Sequence, residues 1–251
     1  MVVSLSGKVA LVTGGSAGLG AAIVRRLAGE GCSVAINYSS SKDRAEILAA
    51  EVRTEGIKTL VLQGDVASET VCRSLVEKTI EGLGRIDILI SNAGWTRIVN
   101  FTNLDGLTDD DFDRCYAMNV KAHFYLFRAA KPYFDRAADG GVFLVTSSVA
   151  GLKPTGSSIP YSITKAAAIH LVKGLAKTQG PKSRVNAICP GLLLTEWGLN
   201  FGPERIMAVE SSLPLQHSSL LDDTADLFIA AAKNTSMTGS ILAVDSGMSV
   251  I

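Results

Sequence analysis

The sequence predicts one doubly wound α/β domain, a parallel sheet of about seven strands with helices on both faces. Three observations carry this. Seven short, β-branched apolar runs recur along the 251 residues, and helix-length stretches alternate with them. The runs are near-continuous instead of alternating apolar with polar, as strands covered on both faces require. Apolar residues make up 47% of the chain and charged residues 19%, enough for a large core and too apolar for a disordered chain.

The predicted strands are residues 9–12, 34–36, 60–62, 86–90, 142–145, 185–188 and 241–244. The predicted helices between them are residues 19–28, 42–54, 69–80, 110–134, 162–178 and 224–233. Regular alternation of this kind implies right-handed crossovers between parallel neighbours. No linker or repeat divides the chain, so residues 1–251 read as one domain. The longest irregular stretch is 190–214, after the sixth strand, and it carries Trp197, Leu199, Phe201 and Met207. Open α/β sheets bind ligands beyond the carboxyl ends of their strands. Residues 192–213 are therefore expected to form an apolar lid over the site.

Composition narrows the function classes. Lys plus Arg and Asp plus Glu balance at 24 each, which argues against binding nucleic acid or an anionic membrane surface. No apolar run approaches the roughly 20 residues that cross a bilayer. The first twelve residues lack the basic start of a secretory signal. Cys32, Cys72, Cys115 and Cys189 are widely spaced, as expected for reduced thiols in a cytoplasmic protein. With the three histidines in unrelated segments, neither a metal site nor a Ser-His-Asp triad has its parts.

The sharpest local signal follows the first strand: Thr13-Gly14-Gly15-Ser16-Ala17-Gly18-Leu19-Gly20, then an apolar helix. Gly14 permits a tight turn, Gly18 lets backbone N–H groups approach a pyrophosphate, and Gly20 lets the helix pack on the sheet. No Lys follows the glycines, so this is not a P-loop. A Rossmann-type dinucleotide site is expected.

The pattern is similar to that of the short-chain dehydrogenases/reductases, and the resemblance extends from Gly7 to Gly247. Asp65-Val66 ends the third strand and Asn92-Ala93-Gly94 follows the fourth. Asn119 sits in the long helix, Thr146-Ser147-Ser148 ends the fifth strand, and Pro190-Gly191 follows the sixth with Thr195 close behind. Tyr161-Ser162-Ile163-Thr164-Lys165 opens the next helix, with Tyr161 thirteen positions after Ser148; that spacing favours Ser148 over Ser147.

The chemistry of these residues also stands by itself. Tyr161 and Lys165, at i and i+4, share one helix face. A free phenol has a pKa near ~10, and a nearby ammonium favours the phenolate. Tyr161 is then expected to act as general acid to a carbonyl oxygen or general base to an alcohol, while Ser148 holds that oxygen. The resemblance adds that Lys165 holds the nicotinamide ribose and that Asn119 continues a proton relay. It assigns the dinucleotide to Gly14, Ser16, Gly18, Leu19 and Gly20, to Asp65 and Val66, and to Asn92, Ala93 and Gly94. Tyr161, Lys165, Pro190, Gly191 and Thr195 complete that set.

The implied activity is hydride transfer between a nicotinamide cofactor and a ketone or secondary alcohol, with 3-oxoacyl reductases as close relatives. A dehydratase-like enzyme or a dinucleotide-sensing regulator on this scaffold usually lacks the Tyr, Lys or Ser, and all three are present. The substrate pocket is expected at Trp95, Leu152, Ile159, Leu192 and Trp197, with Phe201 nearby, and suits an uncharged or amphipathic ketone. At the end of the second strand Asn37 and Tyr38 stand where an acidic side chain would select NAD. Donors from Asn37, Ser39 and Ser40, with Lys42 and Arg44 nearby, favour the 2′-phosphate of NADP(H) over NAD(H). Asp43, and Ala17 where NADP-preferring relatives often carry a basic residue, work against that preference. The helices at 110–134 and 162–178 are apolar on more than one face, and the resemblance implies a homo-oligomer, a tetramer or dimer.

Overall fold

Strand β1 (Val9–Val12) is an interior strand of the sheet. It is followed along the chain by β2 (Ser33–Tyr38), β3 (Thr59–Gln63), β4 (Ile88–Ser91), β5 (Gly141–Thr146), β6 (Ser183–Pro190) and β7 (Ile241–Val244). The computed structural model describes residues 3–54 and 56–251, so the first two residues of the amino-terminal apolar stretch lie outside the described residues. The helices are α1 (Gly18–Gly29), α2 (Lys42–Val52), α3 (Glu69–Leu83), α4 (Asp109–Tyr116), α5 (Ala122–Arg136), α6 (Ile159–Thr178), α7 (Glu196–Leu199), α8 (Pro203–Ser212) and α9 (Leu221–Lys233).

All strand pairs are parallel, in the order β3-β2-β1-β4-β5-β6-β7. Winding reverses between β1 and β4, which opens a crevice at their carboxyl ends. Alternate side chains feed two cores. Ala10 and Val12 face α1, α2 and α9, where they meet Ile23, Leu27, Leu48 and Phe228. Leu11 faces α3, α5 and α6, with Leu75, Phe127, Phe134 and Val172. Phe134, Phe143 and Phe228 are fully buried, each worth roughly 1.5–3 kcal/mol relative to exposure. All four cysteines are buried and free of disulfides. Among the described residues no helix is long and apolar enough to cross a membrane.

Three elements differ from the sequence expectation. The predicted helix at 110–134 is α4, then a π-helical turn (Ala117–Lys121), then α5. Thr108 and Asp111 form a capping box that starts α4, and Pro132 does not end α5. Helix α6 begins before Tyr161, because the Ser158 hydroxyl accepts from the Tyr161 N–H at 3.4 Å and Pro160 needs no amide partner in the first turn. The stretch 190–214 is largely helical. Thr195 caps α7, and Gly202 at φ 81° turns the chain into α8, which opens on Pro203.

Candidate active site

Gly14 and Gly18 have φ of +60° and +51°, which other residues rarely adopt. A methyl group on Gly20 would stand 2.1 Å from the Gly14 carbonyl oxygen, so α1 can approach the turn only with glycine there. Helix α1 has no side-chain cap and no acidic residue in its first turn, leaving its leading N–H groups for an anion. Thr13, which the sequence reading did not single out, ties this turn to β4. Its hydroxyl accepts from the N–H groups of Asn92 (3.0 Å) and Ala93 (3.1 Å). Asn92 donates back to the Thr13 carbonyl at 3.0 Å and accepts from the Thr146 hydroxyl at 3.1 Å. The ends of β1, β4 and β5 are thereby locked together beneath one cleft of about 630 Å³.

Two side chains reach the floor of that cleft from α6. Lys165 is 3% exposed, and its ammonium donates to the Thr146 carbonyl at 2.8 Å. It lies 5.5 Å from the centre of the Tyr161 ring. Burial lowers the Lys165 pKa to about 8. Burial likewise pushes Tyr161 up to about 12, against a hydrogen bond with the Ser148 side chain that favours the phenolate. The shift is upward where the sequence predicts a downward one: loss of water outweighs the Ser148 hydrogen bond. Ser147 is buried and donates to the Lys165 carbonyl at 3.0 Å, so its hydroxyl is committed and Ser148 is the serine beside Tyr161. Asn119 is buried on the π-helical turn. Its side chain accepts from the Trp95 N–H (2.9 Å) and donates to the Trp95 carbonyl (2.9 Å) and the Thr164 hydroxyl (3.1 Å). A methyl on Gly94 would stand 3.1 Å from the Asn119 amide oxygen, so glycine keeps this wall thin.

Most predicted cofactor residues line the cleft: Gly14, Gly18, Leu19, Gly20, Asn37, Ser39, Asp65, Val66, Asn92, Ala93, Gly94, Tyr161, Lys165, Pro190, Gly191 and Thr195. Ser16 and Tyr38 lie outside this lining. Tyr38 is buried in the α1–α2 core, because strand alternation turns it inward and leaves Ser39 at the cleft. Asn37 is also corrected as a phosphate donor. Its amide nitrogen is spent on the carbonyls of Tyr38, Leu62 and Gly64, and its oxygen accepts from the Gly14 N–H at 3.3 Å. It staples the glycine turn to β2 and β3. Asp65 pairs with Arg114 at 2.8 Å, and Arg114 itself lines the cleft.

On the substrate side, Leu192 and Trp197 line the cleft, whereas Trp95, Leu152 and Ile159 do not. Trp95 packs against the core, its loop held inward by Asn119. Leu152 is exposed on the turn after β5, and Ile159 lies at the start of α6. The lining also includes Phe201, Arg205, Ile206 and Val209 of the expected lid, and Thr155, Gly156, Ser157 and Met248, which were not expected. The Trp197 ring lies 5.9 Å from that of Tyr161, and a methyl on Gly18 would meet Thr195 at 3.2 Å, so α7 sits directly over the cradle and the tyrosine. The uncapped helix, the space only glycine leaves and the cleft's volume together fit a dinucleotide.

Residues 8–205 match the family model described as short chain dehydrogenase. The chain belongs to the short-chain dehydrogenase family. As a member of it, the protein is an oxidoreductase that transfers hydride. A granaticin polyketide synthase protein of Streptomyces violaceoruber, named as a ketoacyl reductase, is 36% identical to this short-chain dehydrogenase over 95% of each chain. The versicolorin reductase of Emericella nidulans is 33% identical over 97% of this chain and 96% of its own. A short chain dehydrogenase from Burkholderia cenocepacia, solved in complex with NADP, superimposes with a TM-score of 0.90 at 34% identity, covering 98% of this chain and 99% of the other.

Proposed function

We propose that the protein is a cytosolic NADP(H)-dependent enzyme that reduces ketones to secondary alcohols, in which Tyr161 is the general acid. The observation that carries this reading is that Ser148, Tyr161 and Lys165 line the same cleft as the glycine cradle. The bound nicotinamide supplies the hydride. Gly14, Gly18, Leu19 and Gly20 would hold its pyrophosphate, Asp65 and Val66 its adenine, and Lys165 its ribose. Asn92, Ala93 and Gly94 would let its adenosine side approach the backbone, and Pro190, Gly191 and Thr195 would wall its nicotinamide half.

A substrate carbonyl oxygen accepts hydrogen bonds from the Ser148 hydroxyl and the Tyr161 phenol, and as charge develops on that oxygen the phenol delivers its proton. A phenol pKa of about 12 keeps Tyr161 protonated at neutral pH, which suits reduction. Lys165, with a pKa of about 8, is mostly protonated at neutral pH and stabilises the resulting phenolate. Asn119 positions the β4 loop and α6 relative to each other. Residues 192–213 act as the lid, with Trp197 excluding water from Tyr161.

The substrate is an uncharged or amphipathic ketone. Leu192, Trp197, Phe201, Ile206, Val209 and Met248 offer apolar contact, with one guanidinium, Arg205, at the same side. The relatives named for ketoacyl and versicolorin reduction support a ketone of this kind. The NADP-bound neighbour and the absence of an acidic side chain at Asn37, Tyr38 and Ser39 support NADP(H). The test is a panel of ketones, 3-oxoacyl thioesters and alcohols with each cofactor, followed by nicotinamide absorbance. Reduction of ketones with NADPH is the expected result, and turnover only with NADH overturns the cofactor assignment.

A further inference from the structure

Arg44 projects from the first turn of α2, and Glu196 opens α7 on the lid. The Arg44 Nη1 donates to both Glu196 carboxylate oxygens at 2.8 Å, so this one pair spans the groove between the end of β2 and the lid. Glu196 lines the cleft, as does Ser39 at the end of β2. The end of the second strand is where this fold class meets the adenosine ribose. With Nη1 committed to a carboxylate, the Nη1–Nη2 fork is closed to a phosphate. Both side chains are exposed, and an ion pair of that kind is weak enough for a dianion to displace. Lys42 is exposed beside Arg44, and Asp43 offsets it, so Arg44 decides the local balance.

We propose that Glu196 is a positioning residue for cofactor selection: it competes with the cofactor 2′-phosphate for the Arg44 guanidinium. This rests on the NADP(H) reading above. A phosphorylated ribose takes Arg44 from Glu196 and releases the start of α7. An unphosphorylated ribose leaves the pair closed across the groove. The protein thus weakens its own preference for NADPH, and the selectivity is set on the lid as much as at the end of β2.

The test measures dissociation constants of NADPH, NADH and 2′,5′-ADP, by fluorescence or calorimetry, for wild type, Glu196→Gln, Arg44→Met and the double variant. Glu196→Gln is expected to tighten NADPH and 2′,5′-ADP by about threefold to fivefold, and to shift the NADPH-to-NADH ratio by the same factor. In the Arg44→Met background the same substitution is expected to do nothing, because its effect passes through Arg44. An unchanged ratio in Glu196→Gln overturns the proposal. So does an equal gain without Arg44, which would mean direct repulsion, or a loss of NADH affinity, which would make Glu196 a ribose acceptor. A wild type that binds NADH more tightly removes the NADP(H) reading together with the proposal. A wild type that prefers NADPH beside an inert Glu196→Gln removes the proposal alone.

Discussion

Tyr161 and Lys165 are held by burial in opposite relations to their usual titration, the phenol up to about 12 and the ammonium down to about 8. Carbonyl reduction needs both protonated, so Lys165 sets the upper limit of the working range. The reductive kcat/KM is expected to be level at neutral pH and to fall as pH rises through about 8, by up to tenfold per unit. A rate that stays level far into the alkaline range would detach Lys165 from the mechanism. Tyr161→Phe keeps the ring against Trp197 and loses the proton. Its turnover is expected to drop by about two to four orders of magnitude, with cofactor affinity retained, as measured by steady-state kinetics beside a binding titration. Near-normal turnover would sink the general-acid assignment. Tyr161 and Lys165 were legible as a pair because positions i and i+4 share a helix face, whereas Ser148 was read from the family's thirteen-residue spacing. The commitment of the Ser147 hydroxyl was not legible, because its partner is the main chain of α6.

At the scale of elements, the strands were legible because each contains a short continuous apolar run, as covered faces require of the inner strands. What lay on the cleft was less so. Tyr38 was expected there and is buried, since a one-residue step along a strand reverses the face. Helices α7 and α8 were read as loop because each is short and only Ile206 of α8 is buried, too little for a periodic signal. The π-helical turn that carries Asn119 has no composition signature at all. The glycine turn, in contrast, makes a firm prediction. Gly20→Ala gains up to about 1 kcal/mol of helix propensity, but its methyl meets the Gly14 carbonyl, so a net loss of about 1–3 kcal/mol in urea unfolding and a weakened cofactor are expected. Unchanged cofactor affinity would show that the cradle tolerates a shift of α1. The lid carries its own test. Amides of residues 192–213 should exchange faster than those of β1 and β4 in the free protein, and slow when cofactor and substrate bind. Strand-like protection before ligand binds would count against a lid.

Across the whole molecule, part of the apolar surface that the cores do not absorb lies on three successive helices. Phe112 and Tyr116 of α4, Phe124 of α5 and Ile163 of α6 are all exposed, although each is large and apolar. Exposed aromatic and aliphatic side chains on these helices would suit an association surface, which a closed pair of copies would bury symmetrically. The same α6 carries Tyr161 and Lys165, so association would also hold the catalytic helix in place. A dimer or tetramer is therefore expected by sedimentation, with a melting temperature that rises with protein concentration. Phe124→Glu places a charge on that face and touches no residue of the cleft. It is expected to shift the protein toward monomer and to lower its melting temperature, with the seven-stranded sheet retained by circular dichroism. A wild type that sediments as monomer across the micromolar range would refute the assignment of this face. An oligomer unmoved by Phe124→Glu would place the interface elsewhere, with the exposed edge strand β7 the next surface to test.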